Sequence, residues 1–171
     1  MKKLDVIAND IFVNSLSTCG KVYSMVSEES EKVILIKDKY LRGKYLIAFD
    51  PLDGSSNIDT GISVGTIFGI YSLPAEKTSK DYNEQVSKEY FKRKGREMIA
   101  AGYALYGSFT ILVLTTGNGV NGYILDPNLG EFILTNPNIK IPPKGKTYSV
   151  NEGNSKYWKE PIKRFIDNVR M

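Results

Sequence analysis

With 171 residues, 42% hydrophobic and 25% charged, a net charge of +4 and no apolar run of membrane-spanning length, the chain has the composition of a soluble globular protein, and no membrane partner is expected. The absence of histidine excludes a histidine-based triad and a histidine-ligated zinc site, so any bound metal should be held by oxygen, as Mg²⁺, Mn²⁺ and Ca²⁺ are. The single cysteine, Cys19, excludes an internal disulfide and is typical of a reducing compartment, which predicts a cytoplasmic protein.

The first part of the chain predicts one helix followed by short strands. Gly20 is a suitable end for the helix, which is predicted to be amphipathic. Its apolar stripe consists of Leu4, Ile7, Ala8, Ile11 and Leu16. Runs rich in β-branched and aromatic residues predict strands at 23–26, 33–36, 45–49 and 64–73.

Residues 74–96 are polar and lack periodicity, which predicts a long basic loop with one short helix. Such a loop can bind nucleic acid, but a solvated surface is the favoured interpretation, so no nucleic-acid partner is expected. Basic residues also attract phosphorylated small molecules. The cluster comprises Lys88, Lys92, Arg93, Lys94 and Arg96, beside Tyr90 and Phe91.

The remainder of the chain predicts a run of strands and a final helix. Strands at 100–106, 108–116, 120–125 and 131–134 are separated by turn residues, which indicates an antiparallel meander. A further short strand is predicted at 148–150. A helical stripe follows, formed by Ile162, Phe165, Ile166 and Val169. Strands that follow strands, with helices at both ends, favour an α+β fold with a largely antiparallel sheet.

The segment from Tyr45 to Asp59 carries the most specific chemical pattern. A buried strand delivers Asp50 at its end, and Pro51 fixes φ and removes a ladder donor, so the chain is predicted to turn there. Asp53 supplies a second carboxylate three residues after the first, close enough to share an ion. A bare Asp-x-x-Asp-Gly string is more often a simple turn; the strand before it and the Ser-Ser-Asn after it make this one more specific.

The residues after Asp53 are suited to an anion. Gly54 allows close approach of the backbone, and Ser55 and Ser56 offer hydroxyl and amide donors. A cation that faces a row of donors is what phosphoryl transfer requires.

A second acidic pair, Glu28 and Glu29, ends another short strand. Taken alone, such a pair is usually solvated, but a two-metal site needs a carboxylate from a separate segment. Asp5, on the first helix, is either a charge that complements the helix N-terminus or a further member of the site.

Together these segments resemble, in chain order, the class I fructose-1,6-bisphosphatases. The resemblance extends over nearly the whole chain, whereas inositol monophosphatases resemble only the Asp50 region. The matching strings are Lys2-Lys3-Leu4-Asp5-Val6, Val26-Ser27-Glu28-Glu29, Gly43-Lys44-Tyr45, residues 50–59, residues 64–71, Ala100 to Ser108, Leu125-Asp126-Pro127, Gly130 to Leu134 and Tyr148 to Gly153.

The resemblance implies a role for each site residue. Glu28, Asp50, Asp53 and the backbone carbonyl of Leu52 would bind the metal, Mg²⁺ or Mn²⁺. Gly54, Ser55 and Ser56, with Asp53, would hold the 1-phosphate. Glu29 and Asp5 would orient or deprotonate the attacking water.

The resemblance also implies the layered sugar-phosphatase fold and a homotetramer regulated by AMP. The activity would be magnesium-dependent hydrolysis of the 1-phosphate of fructose 1,6-bisphosphate, giving fructose 6-phosphate and phosphate in gluconeogenesis. Lys44 and Tyr45 match part of the AMP site, but Ser72 stands where an arginine is expected, so AMP should inhibit weakly or not at all.

By the same resemblance, residues 1–171 correspond to an N-terminal domain truncated at both ends, which predicts an incomplete and inactive enzyme that exposes apolar strand faces at 111–114. Two alternatives remain open. One is a sedoheptulose-1,7-bisphosphatase or another sugar phosphatase, and the other is a catalytically dead assembly module.

Overall fold

The computed structural model describes residues 4–74 and 83–170, which divide into two compact units on either side of residue 139. The first unit holds two helices, α1 (Leu4–Thr18) and α2 (Glu84–Phe91), and eight strands in the part described. The strands are β1 (Val22–Ser27), β2 (Ile34–Leu35), β3 (Tyr45–Asp53), β4 (Val64–Ser72), β5 (Ala100–Tyr106), β6 (Thr110–Thr115), β7 (Asn121–Asp126) and β8 (Glu131–Asn136). Short 3₁₀ helices lie at Ser55–Thr60 and Gly95–Glu97.

The strands form one sheet in the order β2-β1-β3-β4-β5-β6-β7-β8. β1 and β3 are parallel, and every other neighbouring pair is antiparallel. The predicted α+β class and the antiparallel meander are therefore confirmed, and the meander extends from β3 to β8. Because β1 and β3 are parallel neighbours, their carboxyl ends meet at the same edge of the sheet.

The sheet has an apolar cluster on each face at its β1–β3 end. Ile47 and Phe49 belong to the cluster under α1, and Leu46 belongs to the other cluster with Tyr90 of α2. Alternate residues of one strand thus fill opposite faces, as the pleat requires. The ring of Phe12 stacks on Phe49 with centroids 5.3 Å apart, which fixes α1 over the carboxyl end of β3.

Three sequence-based expectations need correction. The packed face of α1 consists of Phe12, Val13 and Leu16, whereas Leu4, Ile7 and Ile11 of the predicted stripe are exposed. β3 does not end at Pro51 but continues to Asp53. Residues 148–150 form no strand, because the backbone there has no strand partner among the described residues, and the Tyr148 hydroxyl instead donates to Glu152.

The second unit contains a 3₁₀ helix at Glu152–Tyr157 and α3 at Glu160–Arg170. Ile166 is the buried member of the predicted stripe of α3, and the other three are exposed. Arg170 forms an ion pair with Glu152, which links the two elements within this unit. None of the helices in the described residues is both long and apolar enough to cross a membrane.

Candidate active site

The Asp50–Asp53 segment is a bulge in the β3–β4 ladder. Asp50 pairs with Ile67 and Asp53 with Gly65, and the register shifts between them. Pro51 and Leu52 are buried in this irregular stretch, whereas Asp50 is half-buried and Asp53 is exposed. The backbone N–H of Leu52 donates to Oδ1 of Asp50 at 3.0 Å. The proline that was expected to end the strand therefore lies inside a bulge, which displaces the ladder without ending it.

Gly54 turns the chain from β3 into the first 3₁₀ helix. Its φ of +82° lies in the left-handed region that favours glycine. Its carbonyl accepts from the N–H of Asn57 at 2.9 Å, so Ser55 and Ser56 form the first turn of that helix. A cavity of about 240 Å³ opens beside this turn, lined by Asp53, Gly54 and the facing parts of β4 and β5. Two of the predicted phosphate-binding residues, Asp53 and Gly54, therefore border a recess, whereas Ser55 and Ser56 do not line it.

Glu28 is fixed next to Asp50 by the backbone. The N–H of Glu28 donates to the carbonyl of Phe49 at 3.1 Å, which continues the β1–β3 pairing one residue beyond β1. Ser27 Oγ donates to Asn9 Oδ1 at 2.7 Å and accepts from the N–H of Glu29 at 3.3 Å. α1, which carries Asp5, is thereby bonded to the end of β1, and Asn9 is a site residue that the sequence analysis missed.

The acidic side chains share one electrostatic field. Burial raises the pKa of Glu29, and the negative charges of Asp5, Glu28 and Asp50 raise it further. Burial also raises the pKa of Asp50, the N–H of Leu52 partly offsets this, and Asp53 and Glu28 add repulsion. Each of the five acidic positions predicted from the sequence therefore interacts electrostatically with at least one of the others.

This donor set fits a hard divalent cation. Mutual repulsion between carboxylates is the electrostatic condition that such a cation relieves, and carboxylate oxygens are its preferred ligands. Over residues 4–74 and 83–170, however, no three acidic or cysteine side chains are arranged closely enough to hold a metal ion between them. The acids thus form an open acidic edge at the ends of β1 and β3.

Lys44 and Tyr45 lie at the opposite end of β3 from the acidic edge. Tyr45 pairs with Ser72 in the sheet, and Lys44 Nζ lies 5.5 Å from the centre of the Tyr45 ring. The predicted AMP-site residues are therefore neighbours of the position where an arginine was expected.

Arg93, which was assigned only to the basic loop, occupies this neighbourhood. Its Nη1 donates to the carbonyl of Ser72 at 2.8 Å, its Nε pairs with Glu97 at 2.9 Å, and its guanidinium lies 5.2 Å from the centre of the Tyr71 ring. The pair with Arg93 lowers the pKa of the Glu97 carboxyl. Arg93 therefore has three partners at the end of β4, which no local sequence signal indicated.

Comparison with known proteins places this geometry in a family. Residues 1–137 match the family described as fructose-1-6-bisphosphatase, N-terminal domain. The chain is 56% identical over 170 residues to the cytosolic fructose-1,6-bisphosphatase of Oryza sativa subsp. indica. The matched region covers 99% of this chain and 48% of that protein. It is 53% identical to the cytosolic fructose-1,6-bisphosphatase of Spinacia oleracea, with the same coverage.

A solved structure agrees with the sequence relatives. The crystal structure of Leishmania major fructose-1,6-bisphosphatase in holo form superposes with a TM-score of 0.92 at 49% identity, covering 99% of this chain and 52% of that one. The chain thus spans about half the length of the curated relatives it matches. On the strength of the family match and the shared fold, this chain belongs to the fructose-1,6-bisphosphatase family.

Proposed function

We propose that this chain supplies the metal and phosphate half of a fructose-1,6-bisphosphatase active site. The observation that carries the proposal is the single continuous segment in which Asp50, Asp53 and Gly54 lead into Ser55 and Ser56 at the acidic edge. The reaction is hydrolysis of the 1-phosphate of fructose 1,6-bisphosphate, giving fructose 6-phosphate and phosphate, as in gluconeogenesis. Family membership and the cytosolic relatives support this activity and a cytoplasmic location.

Different residues of the site would bind the metal cation and the phosphate anion. Glu28, Asp50, Asp53 and the Leu52 carbonyl would hold Mg²⁺, or Mn²⁺ in its place. When bound, the metal neutralises the phosphate charge and lowers the pKa of a coordinated water. The backbone N–H groups of Ser55 and Ser56 stand in the first turn of a helix, where amides have no partner within the helix, and they would bind the phosphate oxygens.

Glu29 and Asp5 would act on the water. The Glu29 carboxylate lies in the field of Asp5, Glu28 and Asp50, and α1, which carries Asp5, is bonded to the end of β1. A carboxylate oxygen of Glu29 would accept the proton of the attacking water, and Asp5 would orient it. A homotetramer, as the resemblance implies, is the proposed assembly.

Substrate preference is tested on the full product of the gene that encodes this chain. We expect Mg²⁺-dependent phosphate release from fructose 1,6-bisphosphate with a higher kcat/KM than from sedoheptulose 1,7-bisphosphate. Phosphate release is measured for both substrates with Mg²⁺ and with EDTA. Preference for the seven-carbon substrate would contradict the substrate assignment while leaving the phosphatase class intact. No release from either substrate would favour the assembly module.

AMP should inhibit this protein weakly or not at all. Ser72 lacks the charged fork that pairs with a phosphate in a bidentate way. Arg93 carries a guanidinium beside Ser72, but this group is already bonded to the Ser72 carbonyl and to Glu97. The test is an AMP titration of the full gene product beside its Ser72→Arg variant, which is expected to be the more sensitive of the two. Inhibition of the unmodified protein at micromolar AMP would show that Ser72 does not limit binding.

A further inference from the structure

A buried hydroxyl pair lies directly behind the Asp50–Asp53 bulge and takes no part in the proposed chemistry. Thr66 of β4 is 3% exposed, and its Oγ1 lies 2.9 Å from the carbonyl oxygen of Pro51. The same Oγ1 lies 2.6 Å from the hydroxyl of Tyr106 on β5. The cross-strand partner of Thr66 is Ala104, so Tyr106 is its diagonal neighbour on the same face of the sheet.

The chemistry of the groups fixes the direction of both hydrogen bonds. A carbonyl oxygen only accepts, so the Thr66 hydroxyl proton must point to Pro51. With its one proton committed, Thr66 Oγ1 can only accept from Tyr106, whose hydroxyl is therefore the donor. The result is a one-way chain in which Tyr106 donates to Thr66 and Thr66 donates to the Pro51 carbonyl.

The bulge explains why the Pro51 carbonyl needs a side-chain donor. The register of β3 and β4 shifts between Asp50 and Asp53, so the backbone between them is displaced from the regular ladder. The Pro51 side chain is fully buried, and a carbonyl left without a donor in such a place is costly. The Thr66 hydroxyl gives this carbonyl a side-chain donor from the facing strand β4.

We propose that Thr66 and Tyr106 are positioning residues, which hold the Pro51 peptide so that Asp50, the Leu52 carbonyl and Asp53 face the acidic edge together. The proposal rests on the proposed metal-binding function of that segment. The Pro51 carbonyl is bonded to the nitrogen of Leu52, whose N–H in turn donates to Asp50 Oδ1. A rotation of the Pro51–Leu52 peptide would therefore move the Leu52 N–H and disturb the Asp50 carboxylate that accepts from it.

Two measurements on the full gene product test this role without turnover. The first is the affinity for Mn²⁺ alone, measured by electron paramagnetic resonance. The second is amide hydrogen exchange at Leu52 relative to Ile47, which lies in the regular part of the same strand. The variants are Thr66→Val, which keeps the shape and removes the hydroxyl, and Thr66→Ser, which keeps the donor.

Thr66→Val is expected to weaken Mn²⁺ binding by about 10-fold, the lower end of the effect of removing an outer partner of a metal ligand, because Thr66 holds the peptide between two ligands and not a ligand itself. Exchange at Leu52 should accelerate while exchange at Ile47 stays unchanged, and Thr66→Ser should restore both values. Wild-type Mn²⁺ affinity and Leu52 exchange in a folded Thr66→Val protein would overturn the proposal. Equal acceleration at Leu52 and Ile47 would do so as well, because it indicates general loosening of β3.

If Thr66→Val does not fold, Tyr106→Phe tests the positioning role in its place. This variant should show a smaller loss of Mn²⁺ affinity and the same selective acceleration at Leu52. Its matched control is Tyr40→Phe, an exposed tyrosine in a turn of the same unit, outside the sheet. Identical behaviour of the two variants would overturn the proposal. If the wild-type protein binds no Mn²⁺, the metal function fails, and the Leu52 exchange alone decides whether Thr66 positions the bulge.

Discussion

Replacing Asp50 with asparagine is expected to reduce phosphatase activity by several orders of magnitude. Its carboxylate interacts electrostatically with both Asp53 and Glu28. Removing its charge would weaken metal binding, and the neutralisation of the phosphate and the activation of water would then be lost together. An alanine at this position is expected to have an effect at least as large.

The asparagine variant separates chemistry from folding. Asparagine keeps an Oδ1 atom that can accept from the Leu52 N–H, the local bond that Asp50 makes at 3.0 Å. The matched control is Asp38→Asn, an exposed aspartate whose Oδ1 accepts from the N–H of Tyr40 in a loop of the same unit. Both variants should unfold at similar temperatures, and only Asp50→Asn should lose activity.

A chimera makes the measurement specific to these residues. In it, residues 1–171 replace the matched region of the Oryza sativa relative, to which they are 56% identical. Phosphate release from fructose 1,6-bisphosphate is measured at saturating Mg²⁺ for the unmodified chimera and both variants. A kcat near that of the unmodified chimera in Asp50→Asn would remove Asp50 from the proposed site.

The residues of the candidate site were more predictable from the sequence than the long-range contacts that hold them in place. Asp50, Asp53 and Gly54 lie close together in the chain, and a strand end followed by glycine specifies their local geometry. Glu28 could be associated with them only by the general need of a two-metal site for a carboxylate from a separate segment and by the family resemblance, because the pairing of β1 beside β3 is a long-range event. The structure supplies the physical link in the hydrogen bond from the Glu28 N–H to the Phe49 carbonyl.

The errors share one cause, which is tertiary context. Pro51 suggested a turn because it cannot donate, but a donor from β4 satisfies its carbonyl and the strand continues. The stripe of α1 suggested burial of Leu4 and Ile7, but the position of β3 selects Phe12 and Val13 instead. In neither case does the local sequence contain the neighbour that decides the outcome.

The 171-residue polypeptide, expressed by itself, is expected to associate and to show no detectable turnover of fructose 1,6-bisphosphate. The acidic edge and the turn at Gly54 are present, but the chain spans only about half the length of its curated relatives. Correct positioning of reactants accounts for about 7–11 kcal/mol of a barrier. Loss of even part of the groups that position the sugar would therefore lower the rate by orders of magnitude.

The exposed sheet surface gives the reason to expect association. Ile67 is 50% exposed, Tyr103 is 45% exposed, and the two are cross-strand partners on one face. Ile133 of the edge strand β8 is also exposed. The β6 residues 111–114, which the sequence analysis expected to be exposed, are half-buried, and the exposed apolar side chains of the sheet lie on β4, β5 and β8. A contiguous apolar surface with an open strand edge favours self-association.

Size-exclusion chromatography and phosphate release test the expectation together, with the chimera as the positive control. The isolated polypeptide should elute as an oligomer or aggregate and release no phosphate, while the chimera should be active because the remaining sequence restores the missing positioning groups. An inactive chimera beside an active Oryza sativa parent would instead indicate that this half is itself defective, as the assembly-module alternative requires. A sharp monomer peak with phosphate release that Asp53→Ala abolishes would contradict the prediction, since it would mean that these residues alone close a core and complete a site.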